Sequence, residues 1–173
     1  ISFKTTQVKT SFVFILLLIS VKQQVFAQEI KIIDRDSFSL QYPADWKLDT
    51  KSKDYEPDST FSIRAPGKPN NVSFFIKYQK TDAKKYLEYM VNNTTATFRI
   101  KKVEFTDFNR WGNLAGEGKI IKGKAMGSDV IIALFVYSAN NRSLLVIENC
   151  REGKIDKVRE EFNSIGTSFR FKR

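Results

Sequence analysis

Four β-forming stretches follow one another between Val103 and Asn149, with no room for a long crossover between any two of them. They are Val103–Phe108 (VEFTDF), Leu114–Lys122 (LAGEGKIIK), Asp129–Ser138 (DVIIALFVYS) and Arg142–Asn149 (RSLLVIEN). Parallel neighbours need a connection of a dozen or more residues, so this spacing predicts an antiparallel meander. Asp129–Ser138 is the most continuously apolar of the four, which predicts a central strand covered on both faces. Asn140-Asn141 tolerate left-handed backbone and suit a tight hairpin, whereas Gly123–Ser128 is expected to form a longer turn. Asn109-Arg110-Trp111-Gly112-Asn113 has a turn-like composition, which places Trp111 outside the regular strands.

Upstream, Glu29–Ile33 alternates only partly and is expected to be a short edge strand. Phe38, Leu40 and Tyr42 are two apart and share one strand face. Pro43 is expected to stop that strand and to stand second in the turn Tyr42-Pro43-Ala44-Asp45, followed by Trp46 as an apolar anchor. Residues 49–60 are polar and aperiodic and read as a surface loop. Phe61–Ala65 and Val72–Tyr78 are further strands, the first closed by Pro66-Gly67. One change of period stands out. Ala83, Tyr86, Leu87, Met90, Val91 and Thr94 follow the spacing of an amphipathic helix capped by Thr81 or Asp82 and running to about Phe98. Ile155, Val158, Phe162 and Ile165 mark a second helix, opened by Gly153 and closed by a left-handed Gly166, with a short strand at Ser168–Phe171. Strands and helices in this order predict an α+β fold.

The first 27 residues are set apart from that domain. Lys4 and Lys9 precede the apolar run Ser11–Val21, which is too short for the ~20 residues of a membrane span. Val25-Phe26-Ala27 then offers a cleavage site between Ala27 and Gln28. The expectation is a secretory signal peptide at 1–27 and a secreted or periplasmic domain at 28–173, with no cysteine placed for a lipid anchor. Residues 1–27 hold Lys4, Lys9 and Lys22 and no acid, so their removal lowers the net charge from +10 to +7. Cys150, the single cysteine, has no internal partner for a disulfide and reads as a small buried apolar residue.

A strand ending in Tyr42-Pro43-Ala44-Asp45-Trp46, a second closing on Ala65-Pro66 and a helix carrying Tyr86-Leu87 together resemble the PsbP-like family. So do the meander and a terminal helix leading into Thr167-Ser168-Phe169. That family includes the extrinsic photosystem II protein, a Ran-binding nuclear import factor and periplasmic proteins such as DcrB. The resemblance covers about Asp36 to Phe171. It implies an α/β/α sandwich around a mostly antiparallel sheet, and a non-enzymatic accessory or binding role. No catalytic residue carries over, because the matching positions are packing positions. A photosynthetic role does not transfer, and the metal sites of photosystem members often use His, which this chain lacks.

The chemistry of the side chains agrees with a binding role. Without His the chain lacks the commonest general base and metal ligand. It also lacks GxSxG, a P-loop, GxGxxG and any Cys/His metal spacing, so neither catalysis nor a cofactor is expected. Asp54, Glu56 and Asp58 form the best acidic cluster for a divalent ion, but without the glycine and terminal glutamate of a calcium loop they read as a solvated surface. Basic clusters at Lys84-Lys85, Lys101-Lys102, Lys119 with Lys122 and Lys124, and Arg170–Arg173 suit a solubility charge or an anionic surface; secretion argues against nucleic acid. Trp111 is a partner contact if exposed and a core residue if folded onto the sheet. Sequons begin at Asn71, Asn92, Asn93 and Asn141 and matter only in a eukaryotic secretory pathway. An accessory protein with an unknown protein partner is the first reading. A binder of a small ligand, divalent metal or anionic surface in a helix–sheet cleft is the second, and a hydrolase or other enzyme of unrecognised type, marked by a buried Lys or carboxylate of strongly shifted pKa beside a Ser, is the third. An apolar pocket with convergent polar groups favours the second; a shallow surface with aromatics exposed near Trp111 favours the first.

Overall fold

The computed structural model describes residues 29–67, 69–151 and 155–172, with no side chains at 155–157. The signal-peptide expectation, its Ala27–Gln28 cleavage site and Gly153 lie outside the described residues.

The meander forms as its short connections require. Strands β3 (Lys47–Leu48), β4 (Thr60–Arg64), β5 (Asn71–Lys77), β6 (Lys101–Trp111), β7 (Leu114–Ala125), β8 (Ser128–Ala139) and β9 (Arg142–Arg151) build one sheet in the order β3-β4-β5-β9-β8-β7-β6. Every pairing in it is antiparallel. The β8–β9 hairpin turns on Asn140 and Asn141 at φ 51° and 58°, the left-handed pair that a two-residue hairpin needs. The β7–β8 turn is shorter than expected. Alternation continues through Gly123 to Ala125, and Met126-Gly127 alone makes the turn, at φ 50° and 81°. β9 is the middle strand with β8 beside it. Phe135 of β8 is buried on one face, and Ile132, Leu134 and Val136 are buried on the other.

A smaller sheet, β1-β2-β10, joins Ile30–Asp34, Phe38–Pro43 and Arg170–Phe171. Glu29–Ile33 therefore gives the edge strand expected of it. Pro43 ends β2 as expected, standing as its last residue opposite Ile30. The Ala44 N–H donates to the Glu29 carbonyl at 2.8 Å, so the Ile30–Pro43 pair is the kind that exchanges no hydrogen bonds, and proline costs nothing there. The turn starts one residue later than expected, with the Trp46 N–H donating to the Pro43 carbonyl at 3.0 Å.

Helix α1 (Ala83–Thr97) is capped by Asp82, whose carboxylate accepts from the Lys85 N–H at 3.1 Å. That bond to the backbone lowers the Asp82 pKa. Leu87, Val91 and Thr94 are its buried stripe, set on β7 and β8. The opposite face of the large sheet carries α2 (Ile155–Ser168), which packs against β2, β6 and β9. The layers are thus α1, the large sheet, then α2 with the small sheet: an α+β, α/β/α arrangement.

Gly166 does not end α2; the helix runs on to Ser168. Gly166 is there because another backbone passes close by. A Cβ on it would meet the Trp111 ring at 3.2 Å and the Gly112 nitrogen at 3.3 Å. Trp111 likewise lies outside any turn: it is the last residue of β6, paired with Leu114, and Gly112-Asn113 alone makes the hairpin.

Candidate functional site

Alternation along four strands decides what faces α2. Two rows of side chains cross the sheet in register: Thr106, Ile120, Ala133 and Glu148 in one, Phe108, Gly118, Phe135 and Val146 in the next. Glu148 continues the buried positions Leu144 and Val146 of β9. A carboxylate therefore occupies a position whose parity calls for an apolar group.

Its partner comes from β6. The Trp111 Nε1–H donates to Glu148 Oε1 at 2.7 Å. The indole is fixed by an aromatic cluster, with Phe74, Phe135 and Phe169 at centroid distances of 6.0, 6.3 and 5.9 Å. Phe61 of β4 extends that cluster, and Phe38 carries it into the small sheet. Trp111 is 6% exposed, so it folds onto the sheet and is not an exposed partner contact.

Glu148 is half-buried as a residue, but protein surrounds its carboxyl group. Burial pushes its pKa up from 4.5 to about 7, and the Trp111 hydrogen bond pulls the other way. In the unfolded chain this group ionises near 4.5, so between there and about 7 folding takes up a proton. The contribution to stability is fully present below the lower value and is lost as the pH rises through the upper one. Glu148→Gln keeps an oxygen acceptor for Trp111 and removes the titration. Urea unfolding should give equal stabilities near pH 4, with the variant ahead by about 2–3 kcal/mol near pH 8. Parallel pH profiles for the two proteins would contradict a neutral, buried Glu148.

Beside α2 the sheet is not fully covered. A trough of about 580 Å3 opens there over Ile120, Ile131 and Ala133, with Glu148 and Trp111 also in its lining. Phe162 and Asn163 of α2 form one wall, and Arg110 and Lys122 stand exposed at the rim. Its size and mixed lining are those of a small-molecule site.

The other residues singled out in the sequence lie elsewhere. Glu56 accepts from the Ser59 hydroxyl at 2.5 Å, and Asp58 faces Arg35 at 3.9 Å. Among the described residues no group of three potential metal ligands comes together, so Asp54, Glu56 and Asp58 do not converge on one point. Cys150 is 2% exposed on the α2 face. No described helix is long and apolar enough to cross a membrane. Glu148 escaped sequence reading, although an acid at the third position of the period-two series Leu144, Val146, Glu148 was a usable signal.

No protein-family model matches the sequence, and no curated protein matches it at the sequence level. Solved structures do share the fold. The cyanobacterial PsbP protein of Synechocystis superposes with a TM-score of 0.57 at 13% identity, covering 87% of this chain and 97% of that one. LpqN of Mycobacterium tuberculosis, described as involved in cell envelope biogenesis, gives 0.56 at 13% identity over 84% and 92%. The Ran-binding protein Mog1p of Saccharomyces cerevisiae gives 0.56 at 10% identity over 83% and 96%.

Proposed function

We propose that the chain, whose fold is PsbP-like as the short structural motifs implied, is a non-enzymatic binding protein, exported to the periplasm or beyond, which takes a small amphipathic anion in the trough beside α2. The observation that carries this reading is the carboxyl group of Glu148, hydrogen-bonded to Trp111 in the lining of the trough. A buried acid held by one indole N–H keeps hydrogen-bonding capacity for a ligand. Ile120, Ile131 and Ala133 offer an apolar bed, and Arg110 and Lys122 favour an anionic group at the mouth. The burial of Trp111 removes the exposed aromatic patch that would have favoured a protein partner docking there.

Anilinonaphthalene sulfonate, an amphipathic anion whose fluorescence rises out of water, tests the trough. The wild-type protein should bind it with one saturable site, displaced by decanoate. Ala133→Phe places a ring across the trough floor and should weaken binding at least about tenfold, a loss of about 1.4 kcal/mol. Equal binding by wild type and Ala133→Phe, with both folded by circular dichroism, would overturn the assignment.

A further inference from the structure

Far along the meander from Glu148's row, the end of α1 and the β7–β8 hairpin meet in a second groove, of about 740 Å3. Phe98, Arg99, Lys101, Lys102, Lys124 and Met126 line it. Lys101 stands directly opposite Lys124 in the β6–β7 ladder. Like charges placed so repel one another. The carboxylate at hand is Asp129, 3.4 Å from Lys124. The two apolar members are displayed, not buried. Met126 is 100% exposed at the hairpin tip and Phe98 is 46% exposed, while the neighbouring Ile100 goes into the core at 7%.

The backbone holds this display at a cost. Arg99, Lys102 and Met126 have φ of 49°, 52° and 50°. Left-handed backbone is unfavourable for side chains of this kind, unlike the asparagines of the β8–β9 turn. Strain of this kind gathers at sites of use.

We propose that this end of the protein docks on an anionic lipid bilayer. Met126 and Phe98 enter the boundary between headgroups and acyl chains, and the four cations meet lipid phosphates around them. The chemistry favours a bilayer over a soluble polyanion, because a polyanion would engage the cations and leave Met126 idle. Electrostatic attraction also draws the tip in from solution and fades with salt.

Cosedimentation with sucrose-loaded vesicles reads this out directly. At about 0.1 M salt the protein should pellet with equimolar phosphatidylglycerol–phosphatidylcholine vesicles and stay in solution with pure phosphatidylcholine. Lys101→Ala/Lys102→Ala should lower the partition coefficient about 25-fold, from about fivefold for each cation near the surface. Met126→Ser leaves the charge unchanged; it should weaken vesicle binding severalfold yet elute from heparin with wild type. All three substituted side chains are exposed, so circular dichroism should match wild type. Equal binding to both vesicle types, or no effect of Met126→Ser, would overturn the proposal. Retention on heparin without vesicle binding would also overturn it and identify a soluble polyanion as the ligand.

Discussion

Gly112→Ala is expected to lose more than about 4 kcal/mol of stability. Two independent costs meet at this residue. Its φ is +54°, which a Cβ makes unfavourable by about 1–2 kcal/mol. The Cβ itself would lie 1.9 Å from the Gly166 carbonyl oxygen and 2.2 Å from its carbon. Both are backbone atoms of a packed helix, so no side chain can swing aside to relieve the overlap. Either the β6–β7 hairpin or α2 must move, and Trp111 would move with the hairpin that begins beside it. Gly67→Ala separates the two costs. Gly67 has φ +58°, and a Cβ there would meet nothing within 4 Å, so it should lose only the backbone share, about 1–2 kcal/mol. Urea unfolding of both variants checks the pair; a Gly112→Ala protein within about 1 kcal/mol of Gly67→Ala would mean that the close approach is easily relaxed.

These contacts show where the sequence was readable and where it was not. The α1 stripe could be read because one helix face repeats locally, and Leu87, Val91 and Thr94 are buried as the spacing required. The Asn140-Asn141 hairpin could be read because its turn chemistry is contained in two residues. β6 was seen only in its middle because it is an edge strand, exposed along most of its length. Without a buried face, alternation fades and Asn109–Asn113 looks like a loop. Gly166 was misread for a different reason. A glycine that ends a helix and a glycine that admits another chain look alike until the other chain is known, and Gly112 is far away in sequence. The trough suffers from the same distance. Glu148 was visible as an acid among apolar residues, but Trp111 as its partner follows only from the strand order and register.

Trp46→Ala should cost about 3–5 kcal/mol, the range for truncating a buried aromatic that leaves a cavity. Trp46 is 2% exposed and sets its ring edge-on to Phe162, with centroids 5.8 Å apart and planes at 78°. It stands just after the turn that leaves β2 and just before the two-residue β3. Few backbone bonds hold β3, so the indole is what ties this corner beneath α2. The effect should also reach the trough, because Phe162 forms part of its wall. Trp46→Phe, which keeps an aromatic ring against Phe162, should recover more than half of the lost stability. Under conditions where Trp46→Ala is still folded, its affinity for anilinonaphthalene sulfonate should fall along with its stability, and Trp46→Phe should restore both. If Trp46→Ala unfolds at the same urea concentration as wild type and loses only the ligand, then the corner acts as a binding surface and Trp46 is not the packing anchor described here.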